Sequence, residues 1–146
     1  MRPIRLYWPA LVVAMLASFL FAAGWFSFFL KPWLAGIDRS MEWLMSQPHI
    51  TAPLQYAVSL LCSFVTAAVL SACIQASGEQ TLFRGIKVGA ILWLGFIATI
   101  FAQEYIFEIR PLSLYAINTG YSLIDLILMG AIVGAWKGKR KAVSAS

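Results

Sequence analysis

A single carboxylate, Asp125, lies in the middle of the apolar stretch "NTGYSLIDLILMG" at residues 118–130. On a helix with a rise of ~1.5 Å per residue, it lies about 20 Å from the turn at 108–112 and about 18 Å from Lys137. This position is close to the middle of a membrane, where an ionised Asp costs roughly 2.5–3.5 kcal/mol. An unpaired acid at this depth takes up a proton, and it is by default a hypothesis of function.

Polar side chains at matching depths predict a polar track that leads from one surface of the membrane to Asp125. On the last helix, Ser122, Tyr121 and Asn118 lie three, four and seven residues before Asp125. This spacing puts them on the same face of that helix as Asp125. On the preceding helix they lie at the same depths when counted from the turn, with Gly95 opposite Asp125. The polar track consists of Asp125, Asn118, Tyr121, Ser122, Thr99, Gln103, Glu104 and Arg110.

Two interpretations of Asp125 stay open at this stage. In the structural one, it is a protonated or hydrogen-bonded residue that holds two helices together. In the functional one, it is a proton or cation site, or it anchors a polar ligand. Glu104 is predicted to pair with Arg110 near the surface, and His49, the single histidine, is predicted to be solvated in a loop.

Motifs for catalysis or cofactor binding are missing from the sequence. It has no Cys/His cluster for zinc, no G-x-S-x-G elbow, no P-loop and no dinucleotide fingerprint. Cys62 and Cys73 are eleven residues apart, about 16 Å along a helix, which exceeds the roughly 7 Å that a disulfide allows. We therefore expect no metal site, no cofactor and no enzyme activity.

The composition places these residues in a membrane. The 146 residues are 61% hydrophobic and 12% charged, and the mean hydropathy is +0.80, whereas a soluble domain is about half apolar and about a quarter charged. Basic residues lie at the ends of apolar runs and do not form a patch with exposed aromatics, which argues against a nucleic-acid partner. We expect one integral membrane domain, because the length fits a single domain of roughly 100–200 residues.

Four stretches are long enough to cross a bilayer, and we name them spanning segments 1 to 4. Each exceeds the ~20 residues that a hydrocarbon core about 30 Å thick requires, and a lone strand could not satisfy its backbone in lipid. Segment 1 is too long for the apolar part of a signal peptide, so we expect it to stay uncleaved. The segments run over about 6–30, 53–76, 82–107 and 112–136.

The connections between the segments predict an all-α bundle of four transmembrane helices. Trp33, Ile37, Met41 and Leu44 recur at helical spacing, which predicts a short amphipathic helix at the interface over about 33–45. The turns "SGEQT" and "EIRPL" are short, so segments 2 and 3, and segments 3 and 4, form antiparallel hairpins.

Small residues at four-residue spacing predict close helix packing. They serve either packing within the chain or the interface of a homo-oligomer, and the sequence leaves both open. In segments 2 and 4 these residues are Ser59, Ser63, Ala67, Ser71, Gly130 and Gly134, and segment 3 adds Gly85 and Gly89.

The distribution of basic residues predicts the orientation. The side that carries both termini has eight Lys and Arg residues against three, which predicts both termini in the cytoplasm. The basic tail at 137–146 would lie near anionic lipid headgroups, and the turn at 108–112 would mark the outer end of the bundle. The first side holds Arg2, Arg5, Arg84, Lys87, Lys137, Lys139, Arg140 and Lys141, and the other holds Lys31, Arg39 and Arg110.

Several stretches resemble a bacterial membrane family known only as domain of unknown function seventeen sixty-one. They are "AGWF" and "KPW" in and after segment 1, "LWLGF" in segment 3, and "YIFEIRPLSLYAINTGYSLIDLILMGAIVGAW" at 105–136. The similarity covers most of residues 6–136. It implies a compact four-helix membrane domain in a bacterial inner membrane, and it carries no activity and no site residues.

Three functions are consistent with this sequence. The favoured one is a small oligomeric channel, carrier or ligand-binding membrane protein that uses the polar track between segments 3 and 4. The alternative is a non-catalytic accessory or assembly subunit of a larger membrane complex, and the least favoured is a lipid-modifying enzyme. A wet pocket at Asp125 favours the first, and a tightly packed Asp125 favours the second.

Overall fold

The computed structural model describes residues 4–136, and within them every regular element is helical. Prolines stand at the starts of three long helices, where a missing N–H costs nothing. The basic tail at 137–146 lies outside the described residues. The elements are α1 (Trp8–Phe28), α2 (Leu30–Ile37), α3 (Met41–Met45), α4 (Ala52–Ala76), α5 (Leu82–Leu92), a π-helical segment (Trp93–Ala98), α6 (Thr99–Phe107) and α7 (Leu112–Ala135).

Four helices are long and apolar enough to cross a membrane, which confirms the predicted all-α bundle. They are Trp8–Phe28, Ala52–Ala76, Leu82–Phe107 and Leu112–Ala135, and the third of them runs continuously through α5, the π-helical segment and α6. The apolar composition and the four long helices together indicate a membrane protein.

The last helix, α7, is the centre of the bundle. It packs against α1, α2, α4 and the third spanning helix, and 39% of its most apolar stretch is buried, against 17–22% for the other three helices. Leu11, Leu70, Ile74, Met129 and Val133 form the core with small residues between them. Because α7 touches every other long helix, its polar side chains can meet groups from each of them.

Glycines bring α5 and α7 into backbone contact. A Cβ atom added to Gly85 would collide with the carbonyl oxygen of Gly130, and one added to Gly134 would collide with that of Thr81. Ala67 and Ser71 of α4 are also buried, and Ser59 and Ser63 are half-buried. Of the small residues singled out by their spacing, the glycines, Ala67 and Ser71 therefore pack within the chain.

The π-helical segment rotates the second half of the third spanning helix. Gly85 packs against α7, and Gln103 lies about five α-helical turns after it. In a regular helix Gln103, and Thr99 one turn before it, would therefore also face α7. A π-helical turn holds more residues than an α-helical turn. The residues after it are consequently rotated, Ala98 and Tyr105 are buried, and Thr99 and Gln103 are exposed.

The predicted interfacial helix over 33–45 is two short helices. α2 follows α1 after Phe29 alone, and it ends at Asp38, whose φ of 53° is left-handed. Asp tolerates this conformation better than most residues. Ser40 then starts α3 by accepting a hydrogen bond from the Trp43 N–H at 3.1 Å. The apolar spacing continued across the break, so the sequence pattern predicted one helix.

Candidate functional site

Asp125 lies in a buried cluster to which three helices contribute. Its side chain is 7% exposed, and its Oδ2 accepts a hydrogen bond of 3.1 Å from the Ser18 hydroxyl of α1. The Ser18 Oγ also lies 3.1 Å from the Ser63 Oγ of α4. We call Asp125, Ser18 and Ser63 the acid cluster. Asp125 therefore faces α1 and α4, whereas the sequence predicted that it would face segment 3.

Small residues on α1 make room for the acid cluster. Ala10, Ala14 and Ser18 follow one another at four-residue spacing, and all three are buried. This spacing gives α1 a narrow face against which other helices pack closely. The sequence reasoning considered the spacing in segment 2 and missed it in segment 1, so it did not identify Ser18.

One oxygen of the acid has no partner. The Asp125 Oδ1 is fully buried and accepts no hydrogen bond from any residue among 4–136. A buried polar atom without a partner is uncommon and calls for a chemical explanation. The Tyr121 phenol lies near Ser18 and Asp125 but forms no hydrogen bond with the Oδ1 of the acid, and its ring stacks on Phe21 with centroids 5.7 Å apart. A proton on the acid would remove its buried charge, and a bound cation would ligate this oxygen.

A second polar group, which we call the outer cluster, lies between α6 and α7 at the end of the bundle that the sequence analysis predicted to face outward. The Asn118 amide donates to the Tyr105 hydroxyl at 2.7 Å, and the Arg110 guanidinium lies 5.4 Å from the centroid of the Tyr105 ring. Arg110 also forms an ion pair with Glu108 and lies 3.8 Å from Glu104. The predicted pair of Glu104 and Arg110 is present, and Tyr105 and Glu108 join it.

The charge of Arg110 is maintained by its neighbours. Desolvation lowers the pKa of the Arg110 guanidinium, but the carboxylates of Glu108 and Glu104 outweigh it and raise the pKa overall. The outer cluster therefore carries one positive and two negative groups when both carboxylates are ionised. All three side chains are between 41% and 46% exposed, so a ligand can reach them.

The residues of the predicted polar track are divided between the two clusters, and three of them belong to neither. Asn118, Glu104 and Arg110 meet in the outer cluster, and Tyr121 and Asp125 belong with the acid cluster.

The three residues outside both clusters are Ser122, Thr99 and Gln103. Ser122 donates to the carbonyl of Asn118 on its own helix at 2.8 Å. Thr99 and Gln103 are exposed and do not face α7, and Thr99 donates to the Gly95 carbonyl at 2.8 Å. Gly95 itself has open space around it.

Two tryptophans fix the rotation of α7 between the clusters. The indole N–H of Trp93 donates to the Thr119 carbonyl at 2.8 Å, and that of Trp25 donates to the Ile117 carbonyl at 3.2 Å. These bonds come from opposite neighbours, the third spanning helix and α1. They help to hold Asp125 toward α1 and Asn118 toward Tyr105.

Among residues 4–136 no three His, Cys, Asp or Glu side chains are close enough to hold a metal ion. Cys62 is exposed and Cys73 is partly buried, and both are free thiols. His49 is exposed in the loop before α4, as the sequence predicted.

A family model described as "Protein of unknown function (DUF1761)" matches residues 9–134. The match spans all four long helices, both clusters and the turn between α6 and α7. No curated protein and no solved structure is similar to this chain at a significant level.

Proposed function

This chain belongs to the DUF1761 family of proteins of unknown function, and we propose that it is a small channel, carrier or ligand-binding membrane protein that binds and releases a proton at Asp125. The supporting observation is the buried carboxylate whose Oδ1 accepts no hydrogen bond from any residue among 4–136. Because Asp125 is only 7% exposed, its tight packing favours the second candidate below, and the unpaired oxygen is what favours this one. Acids inside membrane helices are costly and mark ion and proton pathways. We place both termini in a bacterial cytoplasm, and we propose no catalytic activity.

A proton fits the acid cluster better than a metal ion does. Hard cations such as Ca²⁺ take six or more oxygen ligands, and the acid cluster with Tyr121 offers one carboxylate and three hydroxyls. A proton needs a single lone pair, which the Asp125 Oδ1 supplies. Proton occupancy also removes the cost of a bare charge in an apolar interior.

The route for the proton runs along one face of α7. Tyr121 and Asn118 lie four and seven residues before Asp125, so they occupy the same face. Asn118 is hydrogen-bonded to Tyr105, which lies under the Arg110 guanidinium at the outer end. Hydroxyl groups can accept and donate a proton. In this proposal Tyr105 takes the place that the sequence analysis gave to Thr99 and Gln103.

We expect the carboxyl C=O band of Asp125 to change with pH in the physiological range. The measurement is infrared difference spectroscopy of the protein in lipid. Asp125→Asn should remove the band, and Glu104→Gln should leave it, because Glu104 is an exposed carboxylate of the outer cluster. A carboxyl band that stays constant at every pH would mean that Asp125 is a dry structural residue, and the proposal would be abandoned.

A second candidate, an assembly that this chain joins as a non-catalytic subunit, is favoured by the outward face of the third spanning helix. Gly95, Thr99 and Gln103 are exposed there at four-residue spacing. Side chains that can hydrogen-bond across helices, together with a glycine, are typical of helix–helix interfaces in membranes. Copies of this chain or another membrane subunit would cover this face.

We expect Gln103→Leu to reduce the mass of the assembly measured by native mass spectrometry in a mild detergent. Leucine keeps a similar volume and removes the amide, so interhelical hydrogen bonds are lost while contact with lipid improves. Ile100→Val, an apolar change at a neighbouring exposed position, should leave the mass unchanged. If the wild-type protein is already a single chain, or if both variants behave alike, this candidate is wrong.

A further inference from the structure

An open groove of about 400 Å³ lies at the outer end of the α6 and α7 hairpin. The apolar side chains of Ala102, Ile106, Ile109 and Leu112 line it, and Arg110 lies at its rim. The groove is separate from the acid cluster, and its wall also includes Tyr115 and Tyr105, the second of which belongs to the proposed proton route. Its apolar wall and charged rim together fit an amphipathic ligand.

Ile109 is an unusual choice for its position in the apolar wall. It follows the end of α6 where the Arg110 N–H donates to the Tyr105 carbonyl, a helix ending that usually has glycine at this place. Its φ of 54° is in the left-handed region, where a β-branched residue is a true outlier and glycine is relaxed. Its side chain is 90% exposed, so contacts within the chain do not explain its presence. A strained residue supports a hypothesis of function when it is observed. Ile106 and Leu112 beside it are 76% and 78% exposed.

The charges at the rim of the groove indicate which charges the headgroup of an amphipathic ligand would need. Arg110 lies between Glu108 and Glu104, so the order of charges is negative, positive, negative. A guanidinium has five N–H donors, which is more than these carboxylates occupy. It can therefore also bind a phosphate, while the carboxylates repel a second anion. A headgroup that carries a phosphate and a hydrogen-bonding ammonium complements this pattern.

We propose that the groove binds a phosphatidylethanolamine-type phospholipid. Its phosphate contacts Arg110, its primary ammonium contacts Glu104, and one acyl chain lies along Ile106, Ile109 and Leu112. A choline headgroup is disfavoured because its quaternary ammonium has no N–H to donate. A headgroup with only negative charge is disfavoured because Glu104 and Glu108 repel it.

The test is native mass spectrometry of the full wild-type chain with equal amounts of phosphatidylethanolamine, phosphatidylcholine and phosphatidylglycerol that share the same acyl chains. We expect several-fold more ethanolamine adducts than adducts of either other lipid. Arg110→Gln should reduce the ethanolamine adducts roughly tenfold, as for the loss of one charge-assisted contact. Lys31→Gln, the same change of charge elsewhere, should not. Equal adducts of the three lipids, or a preference for phosphatidylglycerol, would overturn the proposal.

Two further variants separate lipid binding from stability. Ile109→Gly should raise the melting temperature, because it relieves the left-handed residue, and it should reduce the ethanolamine adducts. A variant that is more stable and keeps all its adducts would overturn the assignment of the groove. Asp125→Asn should keep the adducts, so the proton proposal and the lipid proposal can fail independently.

Discussion

Replacing Gly85 with alanine is expected to destabilise the bundle at the tightest contact between α5 and α7. The added Cβ would collide with the carbonyl oxygen of Gly130, and a backbone atom cannot move aside as a flexible side chain can. Overpacking of this kind costs about 1–3 kcal/mol, and more when backbones must separate. The measurement is the free energy of unfolding in a mixed detergent. Gly130→Ala should behave in the same way, because its Cβ would meet the Gly85 carbonyl.

The matched control is Gly95→Ala in the same spanning helix. A Cβ at Gly95 meets nothing within 4 Å, and alanine in a helix is favoured over glycine by roughly 0.5–1 kcal/mol. This variant should be as stable as the wild type or slightly more stable. Equal losses in Gly85→Ala and Gly95→Ala would contradict the glycine contact and imply that glycine acts through backbone flexibility.

Replacing Ser18 with alanine is expected to weaken the acid cluster more than replacing Ser63. Ser18 donates directly to the Asp125 carboxyl, and without it both carboxyl oxygens would lack a hydrogen bond from the acid cluster's serines. Leaving a buried acceptor unsatisfied costs about 1–3 kcal/mol. Ser63 contacts only Ser18 within the acid cluster, so Ser63→Ala should cost less, near the ~0.6 kcal/mol average for polar pairs in membrane proteins.

A double variant tests whether Ser18 and Asp125 act as a pair. Asp125→Leu combined with Ser18→Ala removes both partners, and such a change can be nearly neutral for stability. We expect the double variant to lose less free energy of unfolding than the sum of the two single variants. Strict additivity would show that the two side chains do not depend on each other, against the 3.1 Å hydrogen bond.

The spanning helices could be predicted because length and hydropathy are local properties of the chain. Each of the four apolar stretches is long enough to cross a hydrocarbon core, and the helices of the structure begin and end close to the predicted limits. Asp125 was also identified from its sequence position, because an acid at that depth stands out in any apolar helix. The outer ion pair of Glu104 and Arg110 followed from their closeness to one turn.

Apart from the pair of Glu104 and Arg110, only the tertiary structure decided which side chains meet. The sequence by itself determined the four long apolar helices, their order and the place of Asp125 along the last of them, since these depend on composition and counting. The rotation of each helix about its axis does not depend on composition and counting. The π-helical turn at Trp93–Ala98 turns Thr99 and Gln103 outward without any change in hydropathy. The partner of Asp125 was likewise fixed by packing, because Ser18 lies 107 residues away and reaches the acid only when α1 rests on α7.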